Sequence, residues 1–496
     1  MGVVKRQGFW NSLITYAGIC IGMLNNLLLY PVVFGPDDEL GLIKLLPYLA
    51  LVYTQFSSLG IPGVVIRFFP FFNEKERQHH GFLVMILLAG FLGFLFVGLL
   101  YVLLKPLMIL WFEERSALLI DYYYALIPLS FFVLYNTIFE SYLGALYKSV
   151  VPSLVRELVI PLTNTLAILV FWMGWVGFAG FVLLFVGLYV VGTLLLIAYL
   201  VYLGQFHLGL HLSFRIRKLW PRMLSQGIYS MLTSMSSIFY QVIDGLMLAG
   251  YLGLTAPGIY LTLVPILKFM MVPAKSMYKV VYPLIGQHAK NRAWQEIEIL
   301  YKKASLVGLV FGGFIFMGIV INLHLLFAPP FPLEGFEAGR DAIIILGIGR
   351  LFDLITSTNN IIIISSRYYR YTTLFMSMML VVAPIANMLL IPRFGITGAA
   401  LATAFTGIFV NFLQLGFVWN KFGMLPFTWR SFFVLSIIGL VSWVGMSLPK
   451  IDFWLWDSIY RSFVCSILYW GILLGLRISP DIEGYLMGIK IKRWNR

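Results

Sequence analysis

The chain has 496 residues, of which 60% are hydrophobic and 11% charged, with a mean hydropathy of +0.90. A soluble globule carries about 25% charged residues, so a water-soluble fold, a disordered chain and a nucleic-acid-binding module are excluded together. The formal net charge of +14 has to be read against a membrane before it is read as a ligand signal. Cys20 and Cys465 both lie in apolar runs, which excludes a disulfide framework and a cysteine-rich metal site.

A membrane-spanning helix needs about 20 mostly apolar residues. In chain order such runs fall at 11–33, 43–66, 82–104, 118–147, 152–173, 178–203, 225–250, 257–285, 302–327, 341–363, 372–391, 396–419, 431–448 and 457–477, fourteen in all. The expected fold is an all-α polytopic membrane protein of about 14 transmembrane helices. The breaks at 174–177 and 392–395 are very short, but the runs they divide are each near 50 residues and demand two passes. No small-residue cleavage site follows the first run, which reads as a retained helix.

Basic residues then set the orientation. With the N-terminus inside, 24 Lys and Arg fall on the cytoplasmic side and six outside, the six being Lys44, Lys105, Arg115, Arg340, Arg393 and Lys450. An even number of passes places both termini in the cytoplasm. Most of the net charge is therefore topology.

The chain also repeats itself. Phe34-Gly35-Pro36 and Gly41-Leu42 follow the first run, as Leu252-Gly253-Leu254 and Gly258-Ile259-Tyr260 follow the seventh. Pro62 with Phe69-Pro70 answers Pro273 with Tyr282-Pro283, and Gly174-Trp175-Val176-Gly177 answers Gly395-Ile396-Thr397-Gly398. The offsets stay between 211 and 221. The reading is a six-helix lobe at 1–203, a basic cytoplasmic connector at 204–224, a second six-helix lobe at 225–420, and two extra helices with a basic tail at 421–496. An even number of spans per half gives a parallel repeat, an arrangement transporters use with the substrate path between the halves.

Ionisable groups inside spans are expensive and default to functional candidates. The eighth run carries Lys268, Lys275 and Lys279. At about 100° per residue in a continuous α-helix, all three share one stripe roughly 40° wide. Such a stripe suits an anionic headgroup such as a phosphate or diphosphate; Lys275 and Lys279 can equally snorkel to the interface. Arg350 and Asp353, three apart in the tenth run, form either a self-neutralising pair or a cavity wall with Arg350 open to an anion. Asn359 and Asn360 read as the end of that helix.

Asp244 in the seventh run lies one repeat offset from Asn26, which stands beside Asn25. A coupling-cation site at Asp244 with Gln241 and hydrogen bonding between helices are both open. Glu140, four residues after Asn136, is a similar case. Arg67, at the end of the second run, either grips a lipid phosphate or anchors the interface. His207 and His211 sit in the connector, which reads better as a membrane-surface amphipathic segment than as half a metal site. No phosphate-binding glycine loop, nucleophile elbow or His-Glu-x-x-His motif occurs, so no cofactor is expected beyond a coupling Na+ or H+.

Residues 29–70, with Phe34-Gly35-Pro36, Leu59-Gly60-Ile61-Pro62 and Ile66-Arg67-Phe68-Phe69-Pro70, resemble the start of bacterial oligosaccharide flippases, the O-antigen flippase type of the multidrug/oligosaccharidyl-lipid/polysaccharide exporter superfamily. Residues 244–260 and 387–403 resemble its second-lobe signatures. The resemblance runs from residue 1 to about 420. It implies alternating access around a central cavity and a polyprenyl-diphosphate-linked sugar repeat unit as cargo, moved across the bacterial inner membrane for O-antigen, capsule or exopolysaccharide assembly. It implies membrane lipids and a polysaccharide polymerase complex as partners. It also implies that cavity cations hold the diphosphate, with Lys268, Lys275, Lys279, Arg350 and Arg67 as the candidates here. A peptidoglycan lipid-precursor flippase and a cation-coupled drug exporter are the alternatives within the superfamily. A membrane-embedded sugar polymerase or acyltransferase is the alternative outside it.

Overall fold

The computed structural model describes residues 2–74, 81–208, 214–327, 333 and 335–476. Among them every regular element is helical. Eleven helices among the described residues are long and apolar enough to cross a membrane. All fourteen expected runs appear as helical segments, numbered here α1 to α14. The protein is therefore an all-α, multi-pass membrane protein.

α1 runs from Gly2–Leu24 through a π turn, Asn25–Leu29, to Tyr30–Phe34. α5 repeats the device: Val150–Leu154, a π turn at Val155–Val159, then Ile160–Trp172. Both π turns end two residues before a proline, Pro31 and Pro161. Proline has no N–H and crowds the carbonyl four residues back, and widening the preceding turn relieves both defects.

α2 (Asp38–Ser57) begins five residues earlier than the apolar run, with Asp38 and Glu39 in its first turn facing the helix dipole. Leu59 (φ 48°) and Gly60 (φ 71°) then form a left-handed elbow that starts a second helix, Ile61–Phe68. α3 is Phe82–Leu103. It is apolar all round, burying Phe82, Leu83 and Ile86 while exposing Leu92, Phe96 and Leu99, which only lipid can solvate. α4 is Leu126–Ala145; the chain before it, expected to be spanning helix from 118, is a short turn of helix and the 3-10 segment Tyr123–Ala125. α6 is Phe178–Tyr202.

α7 is a 39-residue helix, Phe214–Leu252, so the second half of the expected surface connector is its first turns. Residues 209–213, His211 included, lie outside the described residues. α8 consists of Thr255–Leu263, a 3-10 stretch Val264–Met270 with Pro265 at its second position, and Met271–Lys290. α9 is Trp294–Leu326. α10 is Arg340–Thr356 continued by Thr358–Ile364, so Asn359 and Asn360 lie inside the helical region rather than marking its end. α11 and α12 are the arms of the run Arg370–Phe422, which turns at Gly395 (φ 59°, ψ −133°). α13 (Trp429–Ser447) opens on a capping box between Thr428 and Ser431, and α14 is Trp454–Gly475.

The chain packs as two compact units, Met1–Thr262 and Leu263–Arg496. In the first, α2 packs on α4 and α7, α4 on α6, and α1 on α5. Phe34 stacks on Phe171 at 4.8 Å and meets the edge of Phe181 at 5.2 Å. α2 and its elbow approach α7 and the start of α8 almost backbone to backbone. A Cβ on Gly41 would lie 1.8 Å from the Leu254 carbonyl oxygen, and one on Gly60 would lie 2.0 Å from that of Gly227. In the second unit α9 is the hub, packing on α8, α10, α13 and α14, with Ile285, Ile297, Leu300, Tyr301 and Ile363 forming a core between α8, α9 and α10.

Candidate functional site

The polar residues of the first unit converge on α1. Asn25, buried, donates to the Pro161 carbonyl at 2.8 Å and accepts from Thr165 Oγ1 at 2.7 Å, which ties the first π turn to the α5 helix just past the second. Tyr30 donates to Asn164 Oδ1 at 2.9 Å. Asn26 donates to the Thr262 carbonyl at 2.6 Å, and its own Oδ1 accepts from Lys44 Nζ. The Lys44 ammonium also sits 4.0 Å over the Tyr30 ring.

Lys44 corrects the side count. Counted among the outside cations at the start of its run, it is 7% exposed and lies nearly two turns inside α2, because the helix starts at Asp38 rather than at the first apolar residue. The helix-start signal was present in Asp37-Asp38-Glu39, but the apolar run masked it.

Asp244, also buried, accepts from Tyr260 Oη at 2.7 Å. Gln241 is exposed. Asp244 and Asn26 thus both hold the first segment of α8, Asp244 at Tyr260 and Asn26 at Thr262. Glu140 is held by Arg156, which also bonds Glu157 at 2.9 Å. Asn136 turns elsewhere, donating to Thr193 Oγ1 at 2.6 Å and to the Tyr189 carbonyl at 3.0 Å. Arg67 is exposed and bonds Gln226 of α7.

In the second unit Lys268, Lys275 and Lys279 are all exposed. They do not form the expected single stripe. Lys268 lies in the 3-10 stretch, where each residue turns about 120° instead of about 100°, which displaces it by roughly 40–60° from the α-helical line through Lys275 and Lys279. Pro265, three residues before Lys268, was the signal for that change. Arg350 Nη1 donates to Asp353 Oδ2 at 2.9 Å, and Asn411 Nδ2 donates to Asp353 Oδ1 at 2.6 Å. The carboxylate is thus held from two helices, while the Arg350 side chain stays 39% exposed. On α8, Tyr278 stacks on Tyr282 at 5.2 Å and shares a 2.5 Å hydrogen bond with Ser357, which lies between the two segments of α10. Asn359 accepts from Tyr301.

Beyond Lys268, Lys275, Lys279 and Arg350, the side count leaves out one further cation, Arg461. It is 1% exposed in α14, one turn after Asp457. Arg461 Nε donates to Asp457 Oδ2 at 2.7 Å, and its terminal nitrogens donate to the carbonyls of Gly445 (2.6 Å), Leu448 (2.9 Å) and Pro449 (3.1 Å). Asp457 also accepts from the Ile451 amide at 2.9 Å and lies 3.2 Å from His324 Nε2. The group closes the C-terminal end of α13 and ties α14 to α9. Among the described residues no group of three or more His, Cys, Asp or Glu could hold a metal ion.

Two helical units with π turns, a broken α8 and paired charges within the spans make a polytopic membrane protein, and its fold is similar to that of solved MOP-superfamily transporters. A lipid II flippase MurJ in an inward closed conformation superposes with a TM-score of 0.74 over 95% of this chain and 99% of its own, at 15% identity. An inward-facing multidrug resistance MATE family transporter of the MOP superfamily gives 0.64 over 82% and 94%, at 12% identity. A MOP superfamily transporter from Pyrococcus furiosus gives 0.53 over 84% and 96%, at 14% identity. In sequence, an uncharacterized membrane protein of Methanocaldococcus jannaschii is 27% identical over 282 residues, 54% of this chain and 53% of the relative. The chain thus spans about half the length of the curated relative it matches. No family model matches.

Proposed function

We propose that the chain is a membrane flippase that carries a polyprenyl-diphosphate-linked oligosaccharide from the cytoplasmic to the outer leaflet by alternating access. The observation that carries the reading is the exposure of Lys268, Lys275 and Lys279 along α8 in a fold that matches the lipid II flippase over 95% of the chain. A diphosphate cannot cross hydrocarbon unaided, whereas ammonium groups on a spanning helix neutralise it and leave the prenyl tail in lipid. Arg350 adds a guanidinium, 39% exposed, that is held by Asp353, while Asn411 fixes the Asp353 carboxylate from a second helix.

In this reading the two halves 1–203 and 225–420 are the moving lobes, both termini are cytoplasmic, and no bond of the cargo is broken. A lipid II type of cargo is the second reading, favoured by the likeness to MurJ. Both share the diphosphate on a polyprenyl chain. A cation-coupled exporter is less well supported: Asp244, Glu140 and Asp353 are each engaged by Tyr260, Arg156 or Arg350 in the structure.

The test is genetic and chemical. In a strain lacking the protein, lipid-linked sugar should accumulate in the cytoplasmic leaflet, and mass analysis of its glycan distinguishes a repeat unit from a peptidoglycan precursor. Replacement by a Lys268→Ala, Arg350→Ala double variant should reproduce the accumulation at normal protein level. Wild-type flux in the double variant would remove the cationic site from the mechanism.

A further inference from the structure

The polar residues around α1 share one target. Within the 3-10 stretch Val264–Met270 each donor bonds one carbonyl closer than in an α-helix, and Pro265 has no N–H to give. The Thr262 carbonyl therefore loses its helical donor just where α8 unwinds. Asn26 Nδ2 takes that place at 2.6 Å. Lys44 fixes the Asn26 amide from the other side, through its bond to Oδ1, and is itself pinned over the Tyr30 ring at 4.0 Å. One half-turn earlier, Asp244 holds Tyr260 at 2.7 Å.

We infer that Asn26, Lys44 and Asp244 form a clamp that fixes where α8 changes from α to 3-10 geometry, and thereby the rotational register of Lys268 six residues beyond Thr262. These are positioning residues. None needs to touch cargo; each acts by holding the backbone of Tyr260–Thr262. The cationic role of Lys268 rests on the flippase reading, but the control of its register does not.

The clamp explains why a lysine, an amide and a carboxylate stand inside the membrane where apolar groups would be less costly. An α-helical α8 would satisfy the Thr262 carbonyl by itself and leave Asn26 without its acceptor. The 3-10 form leaves the carbonyl open and gives the Asn26 amide a partner. Each side of the exchange is complete only in the unwound state, so the polar group selects it.

The experiment reads the register directly. In a Cys20→Ser background, which leaves only the buried Cys465, single cysteines at Lys268 and at Lys279 are labelled with a charged methanethiosulfonate reagent in membranes. Asn26→Asp keeps the oxygen that faces Lys44 but removes the donor to Thr262; it should change the labelling rate of Lys268→Cys by about three- to twentyfold, the span set by one interhelical hydrogen bond in a membrane. Lys44→Gln and Tyr260→Phe should shift the same site in the same direction. Lys279→Cys, beyond the 3-10 stretch, should stay within about twofold. Unchanged labelling at Lys268→Cys in all three variants overturns the clamp, as does an equal change at both cysteines, which marks general loosening. Because no transport is measured, cargo identity does not enter. Loss of flux in Lys268→Ala without any register change would leave the flippase reading standing and the clamp refuted.

Discussion

Arg461→Leu is the sharpest test of how the second unit is held together. The guanidinium is 1% exposed and has four acceptors within 3.1 Å: Asp457 and the carbonyls of Gly445, Leu448 and Pro449. Leucine fills similar space but leaves a buried carboxylate without its cation and three carbonyls without a donor. Removing one partner of a buried pair costs about 3–5 kcal/mol, and the carbonyls cannot add their full cost because the loop can shift toward water. For a unit of this size that corresponds to an apparent melting shift of roughly 10 °C. Tryptophan fluorescence in detergent follows the transition well, because Trp454 and Trp470 lie on the same helix. The paired Asp457→Leu, Arg461→Leu variant has no orphaned charge and should recover a large part of the loss. A single variant that melts within about 2 °C of wild type, or a double variant below the single, would refute the account.

Three further outcomes are expected. Gly63→Val places a Cβ 2.2 Å from Ser230 Oγ, so the helix Ile61–Phe68 must move off α7; the yield of monodisperse protein on size exclusion should fall well below that of Gly144→Val, where nothing lies within 4 Å. Asn136→Leu removes the donor to Thr193 and Tyr189 and should destabilise the first unit by about 0.6–1.7 kcal/mol, measured by thermal unfolding, with transport retained. Asp353→Asn leaves Arg350 without its counter-charge; cargo flux should change in the same direction as for Arg350→Ala, and equal flux to wild type would mean that the pair has no bearing on the site.

The helix count was legible because hydropathy over about 20 residues reports burial in lipid directly. What hydropathy cannot report is hydrogen-bond register. The π turns of α1 and α5 and the 3-10 stretch of α8 leave composition untouched, and only Pro31, Pro161 and Pro265 mark them. Reading Lys268, Lys275 and Lys279 as one stripe assumed an unbroken 3.6-residue period across Pro265. Lys44 was misplaced because an apolar run says where lipid begins to be tolerated, whereas the helix starts where Asp38 and Glu39 meet its first amides. Arg461 escaped notice because two charges in a long apolar run barely lower its mean, and apart from Asp457 its acceptors are backbone carbonyls 12–16 residues earlier in the chain.

The near-contacts of α2 and its elbow with α7 and α8 have a thermodynamic side. At Gly41, Gly60 and Gly227 the touching atoms are main chain, with no rotamer to freeze when the surfaces meet. Burying a leucine or methionine at such points would cost about 0.5–2 kcal/mol each in lost side-chain freedom. Here that term is absent. The contact can form and part at little entropic penalty, and any variant that adds a side chain changes the reversibility of the seam as well as its width.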